Sequence, residues 1–261
     1  MAAEISQTAG VTAYLRAFAL VELYGNGRTG DWLAHHFLPP DWAESLHSPE
    51  ARAHVKANVM QPGMYPYITA RTAHIDEVFS QAVIDGIEQI VILGAGYDTR
   101  AQRLLPPHSA CRIFELDAPA TSAHKPARLE NLPDISAEGV RYAAMDLRET
   151  PLERALDEVG ADGGAKALFI LEGLIMYLPC ETATSLLRAI QGWAAEGSRL
   201  VMDYLLADVL AGETARYGAA VLLEKAACHG EPLRQRPWPG LRAGDRRITR
   251  GHHFVPLASS F

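Results

Sequence analysis

Apolar residues follow helical spacing in the first third of the chain. Residues 9–24 show it weakly, and residues 25–65 show little periodicity in a segment rich in Gly, Pro, His and aromatic residues. Residues 70–85 show it clearly, because their apolar residues form one stripe at i, i+3, i+4, i+7 and i+8: Ile75, Val78, Phe79, Ala82 and Val83. The pattern predicts an N-terminal helical cap over residues 1–85.

Arg71 lies one helical turn before Ile75, on the same apolar stripe. A charge in that position points toward the interior, where a guanidinium needs an anionic partner. Arg71 is therefore a candidate for binding a carboxylate.

After residue 86 the pattern changes to short apolar strands that alternate with helices. The predicted strands are Gln89–Leu93, Cys111–Leu116, Val140–Ala144, Ala165–Leu171 and Arg199–Leu205. Helices are predicted over 99–105, 118–130, 150–159 and 181–196. This alternation predicts an α/β fold, an open parallel sheet with helices on both faces. We expect one domain over 1–230, with its sheet in 86–205 and a further helix in 206–230.

The last 31 residues differ from the rest. Residues 231–261 carry six Arg, two acids and four Pro, without a helical stripe. His253–Leu257 has the character of a short strand, but no antiparallel partner is visible in the sequence. We therefore expect a basic, Pro-rich and poorly packed tail, with the closing C-terminal strands in doubt.

Composition narrows the function. The 261 residues carry a net charge of −7, so no basic excess exists to bind nucleic acid. The three cysteines are far apart, no His cluster has the spacing of metal ligands, and no apolar run is long enough for a bilayer. We expect a cytoplasmic protein without a metal, whose partner is a small molecule rather than nucleic acid or a membrane.

The segment V-I-L-G-A-G-Y-D-T-R, residues 91–100, joins a buried strand to a helix through Gly94 and Gly96. Glycines at such a turn let a ligand approach the backbone. A dinucleotide site would have a third glycine where Thr99 stands, and we expect Asp98 to face the ligand and to repel a pyrophosphate. A plain strand–helix turn without a ligand is the alternative.

Acidic residues follow the next three strands. Asp117 ends the second strand about 20 residues after the glycine turn, where an acid binds ribose hydroxyls in Rossmann-type sheets, and Glu115 shares its face. Asp146 follows the third strand and Glu172 the fourth. Each Asp could instead cap a helix, and Asp203 inside the fifth strand could be structural. Taken together, the three acids and the glycine turn suit a nucleoside that carries a positive group.

Five segments together resemble the leucine carboxyl methyltransferase-like family of class I S-adenosylmethionine (SAM)-dependent O-methyltransferases. They are A-R-T-A-H-I-D, V-I-L-G-A-G-Y-D-T-R-A-Q-R-L, F-E-L-D-A-P, M-D-L and E-G-L-I-M-Y-L, and the resemblance covers about residues 9–230. It implies a Rossmann-like class I methyltransferase sheet with SAM as cofactor. The sequence departs from the family pattern after Gly230.

The resemblance also implies a role for each matching residue. Arg71 would hold the SAM carboxylate and Gly94 the close backbone turn. Asp117 would bind the ribose, and Glu172 would lie against the methionine portion. The adenine would be held by the pair that follows the third strand, Asp146 and Leu147.

The expected reaction is methyl transfer to an oxygen of a small molecule, possible acceptors including polyketide-like metabolites. A carboxylate is favoured over a hydroxyl because it is already ionised at neutral pH. A hydroxyl needs a general base, and His36, His74 and Tyr177 are loose candidates without triad-like spacing. Two alternatives stay open, a SAM-binding protein without activity and a nucleotide-dependent oxidoreductase. The sequence identifies neither the acceptor nor the oligomeric state.

Overall fold

A computed structural model describes residues 7–25, 30–60, 63–133, 135, 139–147 and 149–205, and the backbone of 253–256. Most of the predicted tail and the predicted helix in 206–230 lie outside the described residues.

The centre of the molecule is a twisted sheet with the strand order β3-β2-β1-β4-β5-β6. Its strands are β1 (Gln89–Leu93), β2 (Arg112–Asp117), β3 (Val140–Ala144), β4 (Ala167–Leu171), β5 (Arg199–Met202) and β6 (His253–Pro256). The first five run parallel, as predicted. All five carboxyl ends therefore meet at one edge of the sheet, where ligands bind in open α/β folds.

The backbone of β6 corrects one sequence-based expectation. His253–Pro256 pairs antiparallel with β5, with Val255 opposite Leu200. The short strand predicted near residue 253 exists, and it has the antiparallel partner that the sequence did not reveal. The partner was hidden because strand pairing depends on contacts distant in sequence.

Helices cover both faces of the sheet. They are α1 (Gln7–Ala19), α2 (Pro40–Ser45), α3 (Pro49–Asn58), α4 (Met64–Ile84), α5 (Arg100–Leu104), α6 (Pro119–Leu129), α7 (Leu152–Val159) and α8 (Cys180–Trp193). The apolar stripe of α4 packs with α5 on one face, where Phe79 and Ile92 are buried together. The other face is filled by α7 and α8 around Phe114 and Phe169. The two buried faces confirm the predicted layered α/β architecture.

The N-terminal segment forms a cap beside the carboxyl ends of the strands. After α1 come a π-helical turn (Leu20–Tyr24), a 3-10 helix (Ala34–Phe37), α2 and α3. Their shared core includes Phe18, Phe37 and Tyr97, and Tyr97 belongs to the glycine turn after β1. The cap is thus attached to the edge of the sheet that was predicted to bind the ligand.

Two boundaries differ from the predictions in ways that affect the site. Helix α4 begins at Met64, because Gly63 before it adopts a left-handed conformation with φ of 82°. Strand β5 ends at Met202, so Asp203 lies directly after the strand and not inside it. Asp203 therefore joins the other acids at the carboxyl edge.

Candidate cofactor site at the strand ends

The turn after β1 requires glycine. Gly94 has φ of 65°, and a Cβ there would stand 2.9 Å from Leu174 Cδ1. The Gly94 N–H donates to the Leu116 carbonyl over 2.8 Å, which ties the turn to the end of β2. The predicted glycine turn is present, and its backbone lies close to both neighbouring strand ends.

Asp117, the last residue of β2, bridges this turn to the next helix. Its Oδ2 accepts from the Gly96 N–H and its Oδ1 from the Ala118 N–H, each over 2.6 Å. Burial raises the pKa of the Asp117 carboxyl, and these two N–H groups oppose that rise. The Thr121 side chain also hydrogen-bonds this carboxylate, and a carboxylate has about four acceptor positions, so acceptor capacity for a ligand hydroxyl remains while Asp117 holds the turn.

Glu115, two residues earlier, belongs to the interior of the protein. It is buried and forms an ion pair with Lys125 on α6. Burial raises the pKa of the Glu115 carboxyl to about 7, although Lys125 acts in the opposite direction. Of the two acids that the sequence placed on one face of β2, the structure leaves Asp117 at the edge.

Asp146 and Leu147 follow β3, the strand next to β2. The Asp146 carbonyl accepts from the N–H groups of Glu149 and Thr150 over 3.0 and 2.8 Å, so the chain turns there. Leu147 is partly buried against the core on the α7 side. Gly94, Asp117, Asp146 and Glu172 thus follow four adjacent strands, as predicted.

Glu172 directly follows β4 and binds two arginines. Its Oε1 lies 2.9 Å from Arg71 Nε and its Oε2 2.7 Å from Arg100 Nη1. Burial alone would raise the pKa of the Glu172 carboxyl, but the guanidiniums of Arg100 and Arg71 outweigh it and hold the pKa at about 2. Glu172 is therefore a permanent negative charge at the strand edge at neutral pH.

Arg71 is buried, as its position on the stripe predicted, and two of its nitrogens lie against carboxylates of the protein. Besides the Glu172 contact, its Nη1 lies 2.6 Å from Asp203 Oδ2. Neither ion pair uses Nη2. Although Arg71 Nε and Glu172 Oε1 are close, neither atom has a well-directed hydrogen bond among the described residues. Arg71 therefore has unused donor capacity beside Glu172.

Asp203 is the site residue whose role the sequence analysis missed. It is fully buried, and it accepts from Tyr67 Oη over 2.5 Å, from Arg71 Nη1 and from the Gly173 N–H over 2.6 Å. The signal available in the sequence was an acid near the end of the fifth strand, which the overlong strand prediction placed in the interior.

Asp98 does not face a ligand, which corrects the sequence-based expectation. It is buried, its Oδ1 accepts from the Arg100 N–H over 2.7 Å, and its Oδ2 forms an ion pair with Arg100 Nη1. The carboxylate caps the short helix α5, because acids satisfy the free N–H groups of a first helical turn. Asp98 thus fixes the arginine that holds Glu172.

The ion pairs continue from Arg100 into the N-terminal cap. Asp76 on α4 binds both Arg100 and Arg103 over 2.8 Å, and Arg103 in turn approaches Asp31, which pairs with Arg16 of α1 over 2.7 Å. Buried charges are tolerated only when they are paired in this way. An alternating chain of charges therefore connects α1 to the strand edge.

A cavity of about 170 Å³ lies between α1 and α4, on the cap side of this chain of charges. Its polar lining comes from Arg16, Asp31, Thr69, Thr72 and Asp76. The Thr72 hydroxyl is buried without a hydrogen-bond partner among the described residues, whereas the Thr69 hydroxyl donates to the Tyr65 carbonyl over 2.8 Å. The cavity is small, it has both polar and apolar walls, and two ion pairs, Asp76–Arg100 and Arg100–Glu172, connect its lining to Glu172.

The described residues contain no group of three His, Cys, Asp or Glu side chains arranged to hold a metal ion. Across the same part of the chain, no helix is long and apolar enough to cross a membrane.

Residues 9–191 match the family model described as leucine carboxyl methyltransferase. The match spans more than half of the chain, and the chain belongs to this family. A protein from Mycobacterium avium, whose name places it among S-adenosyl-L-methionine-dependent methyltransferases, is 34% identical over 211 residues, covering 76% of this chain and 68% of the relative. A similarly named Mycolicibacterium vanbaalenii protein is 37% identical over 173 residues, covering 65% of this chain and 55% of the relative. These findings confirm the predicted methyltransferase family and its cofactor, SAM.

Solved structures confirm the fold. A DUF574 family protein from Streptomyces avermitilis superimposes with a TM-score of 0.53 at 17% identity, covering 85% of this chain and 78% of the other. A Thermobifida fusca protein assigned as a methyltransferase gives a TM-score of 0.51 at 21% identity, covering 72% and 70%.

The residues at the strand edge fit SAM. The cofactor combines hydroxyls and an adenine with an amino acid and a sulfonium. Asp117 retains acceptor capacity for hydroxyls, Glu172 is a fixed negative charge for a cationic centre, and Arg71 retains donor capacity for a carboxylate. The fit rests on the chemistry of these groups and on their position at the carboxyl edge, where Asp117 ends β2, Glu172 follows β4 and Arg71 of α4 contacts Glu172.

Proposed function

We propose that the protein transfers a methyl group from SAM to an oxygen of a small molecule, and that this oxygen belongs to a carboxylate. The observation that carries the proposal is the order of the groups along one edge. The glycine turn and the three acids follow β1, β2, β3 and β4, which are adjacent in the sheet. In this assignment Asp117 holds the ribose, Asp146 and Leu147 the adenine, and Arg71 and Glu172 the methionine portion.

SAM supplies an electrophilic methyl group on its sulfonium. The protein's part is to align the acceptor oxygen with that methyl group and to exclude water, and correct alignment alone contributes several kcal/mol to lowering a barrier of this kind (about 7–11 kcal/mol at best). The buried ion pairs from Asp203 to Asp31 make the strand edge rigid, which suits a reaction that depends on positioning.

The choice of a carboxylate acceptor rests on the poor basicity of the groups around Arg71. Glu172, with a pKa of about 2, is a weak base. Tyr67 donates to Asp203, and burial together with the Asp203 carboxylate raises the pKa of its phenol far above neutral. A hydroxyl acceptor would need a base that these groups do not supply, whereas a carboxylate arrives ionised.

The three loose candidates for a base occupy different elements. His36 lies in the 3-10 helix of the cap, where burial lowers the pKa of its imidazole. His74 is on α4, and Tyr177 ends a 3-10 turn after β4. Tyr177, which shares the strand end of Glu172, is the one to test first.

The acceptor's place in this proposal is the cap side of the strand edge. Two ion pairs, Asp76–Arg100 and Arg100–Glu172, connect the cavity between α1 and α4 to Glu172, and its lining combines the Thr72 hydroxyl with the aliphatic side chain of Leu20. Such a lining suits a small molecule with one polar end. In this proposal the N-terminal cap shapes the acceptor pocket.

The test is methyl transfer from labelled SAM to a panel of small carboxylic acids and phenols, followed by a pH profile at saturating acceptor. A carboxylate acceptor gives a rate that is nearly flat from about pH 6 to 9. A rate that rises tenfold per pH unit through 7, and that is abolished in Tyr177→Phe, His36→Gln or His74→Gln, would show a hydroxyl acceptor.

Membership of the methyltransferase family decides against a nucleotide-dependent oxidoreductase. The alternative of a SAM-binding protein without activity is tested by measuring SAM binding by calorimetry in parallel with the methyl-transfer assay. Binding of SAM without transfer to any acceptor of the panel would favour it.

A further inference from the structure

Two residues that the sequence analysis did not connect with Arg71, Tyr67 and Asp203, hold it on one side. Tyr67 lies one helical turn before Arg71 on α4, and Asp203 follows β5. The Tyr67 hydroxyl and Arg71 Nη1 both donate to the same oxygen, Oδ2 of Asp203, over 2.5 and 2.6 Å. Two donors on one oxygen fix the angle at which Asp203 meets the guanidinium.

The other contacts of this group remove its remaining freedom. Asp203 Oδ1 accepts from the Gly173 N–H over 2.6 Å, which anchors the carboxylate to the end of β4. The Arg71 guanidinium carbon lies 5.3 Å from the centre of the Tyr67 ring, within the range of a cation–π contact. Gly173 has φ of 62°, and a Cβ there would stand 3.3 Å from Arg71 Nη1, so the backbone is shaped to admit the guanidinium.

This arrangement divides the guanidinium into two parts. Nη1 belongs to Asp203, and Nε lies against Glu172. Neither ion pair uses Nη2, and the Nε contact lacks a well-directed hydrogen bond. Nε is buried against Glu172, so Nη2 is the nitrogen through which Arg71 can donate to a further carboxylate.

We propose that Asp203 and Tyr67 are positioning residues, which hold Arg71 by Nη1 so that its Nη2 is presented to the carboxylate of the cofactor's amino acid. The inference rests on the proposed role of Arg71 in cofactor binding. Asp203 occupies one nitrogen and sets the plane of the guanidinium, and Tyr67 sets the orientation of Asp203. Neither residue touches the ligand in this scheme.

A competing role for Asp203 gives the opposite result. If Asp203 merely neutralised Arg71, it would compete with the ligand carboxylate, and its removal would strengthen binding. If it positions Arg71, its removal weakens binding, because the guanidinium is free to rotate and must be ordered by the ligand. The sign of the change in affinity therefore separates the two.

The test compares two ligands that share the adenosine but differ in the amino acid. SAM carries the α-carboxylate, and 5′-methylthioadenosine lacks the amino acid altogether. Titration calorimetry is done with each ligand on the full chain, unmodified and with Asp203→Asn or Tyr67→Phe. We expect Asp203→Asn to weaken SAM binding about tenfold or more. Losses of this size are typical when a residue that orients a metal ligand is removed. Tyr67→Phe should weaken SAM binding a few fold. Binding of 5′-methylthioadenosine stays unchanged in both.

The outcomes are distinct. A general loss of structure would weaken both ligands alike, and it would overturn the proposal, as would tighter SAM binding in Asp203→Asn. Should Asp203→Asn not fold, Tyr67→Phe decides, because it removes one hydroxyl and keeps the Asp203–Arg71 pair. An unchanged ratio of the two affinities in Tyr67→Phe contradicts the positioning role. If the unmodified protein binds no SAM, it is the proposed function that fails, before either variant is tested.

Glu115→Gln serves as the matched control. It replaces a buried, ion-paired carboxylate of the same sheet that contacts Lys125 and not Arg71. We expect it to cost stability and to leave the ratio of the two affinities unchanged.

Discussion

Glu172 lies between two buried arginines, with its Oε2 accepting from Arg100 Nη1 over 2.7 Å while its Oε1 faces Arg71 Nε at 2.9 Å. The two guanidiniums come from different helices, α5 and α4, so one carboxylate at the end of β4 connects both to the sheet. Removing it would leave two buried positive charges with fewer partners, which is more costly than the loss of an exposed ion pair.

The first prediction concerns the stability that the Glu172 carboxylate contributes and its loss at acidic pH. The Glu172 pKa falls from 4.5 for the free side chain to about 2 in the folded protein. A lowered folded-state pKa contributes stability above pH 4.5, and that contribution is lost as the pH falls toward 2. The size of the shift corresponds to about 3 kcal/mol. We expect Glu172→Gln to destabilise the protein at pH 7 by about that amount, with the difference from the unmodified protein shrinking below pH 4.5. Urea denaturation at a series of pH values measures it, and a difference that stays constant down to pH 3 would contradict it.

The second prediction concerns Arg71 itself. Arg71→Ala should weaken SAM binding by roughly 2–4 kcal/mol, because it removes a buried charge that is proposed to pair with the cofactor's carboxylate. Arg103→Ala is the matched control, since its side chain is 3% exposed against 5% for Arg71 and it also binds carboxylates on two elements. Both variants should lose stability, but only the first should lose SAM affinity. Equal losses of affinity in the two folded variants would point to general damage.

A third prediction separates the two acids of β2. Asp117→Asn removes the charge that is proposed to bind the ribose and sets an amide NH2 against one of the two backbone N–H groups of Gly96 and Ala118, and we expect a loss of about 1.5–3 kcal/mol in SAM affinity from the two effects together. Glu115→Gln should leave that affinity unchanged, because Glu115 is paired with Lys125 inside the protein. Calorimetric titration of both variants decides, and a loss with Glu115→Gln alone would show that the wrong acid was assigned.

The sequence supported the prediction of the sheet because the central strands β1 and β4 are short apolar runs that are buried along their whole length. Such runs arise when both faces of a strand are buried, and they located Gly94 and Glu172 at their ends. The strands β2 and β3 carry charged residues, and they were recognised from the alternation of strands with helices. The position of Asp203 was missed for the related reason that β5 ends after Met202, where no glycine or proline marks the boundary.

The orientation of the other charged residues could not be predicted from the sequence. Asp98 and Glu115 lie beside ligand-edge positions in the chain, and both turn inward because Arg100 and Lys125 are there to pair with them. The chain of ion pairs from Asp203 to Arg16 joins residues up to 132 positions apart. Such partners are set by the packing of α1, α4 and α5, which hydrophobic periodicity does not specify. Of residues 231–261, the structure describes only the backbone of 253–256. The expectation that the rest of this segment packs poorly stays a prediction.

The last prediction concerns two threonines that line the same cavity from the same helix. The Thr72 hydroxyl is buried without a hydrogen-bond partner among the described residues, whereas the Thr69 hydroxyl donates to the Tyr65 carbonyl. Valine has the shape of threonine without the hydroxyl, and an unsatisfied buried polar group costs about 1–3 kcal/mol. Thr72→Val should therefore stabilise the protein, by about 1 kcal/mol, while Thr69→Val should destabilise it slightly. The free energy of unfolding of both variants, measured by urea denaturation without any ligand, provides the comparison. If Thr72→Val proves as destabilising as Thr69→Val, its hydroxyl has a partner supplied from solution, and titration of the acceptor panel into the unmodified protein and Thr72→Val would then show whether an acceptor can replace that partner.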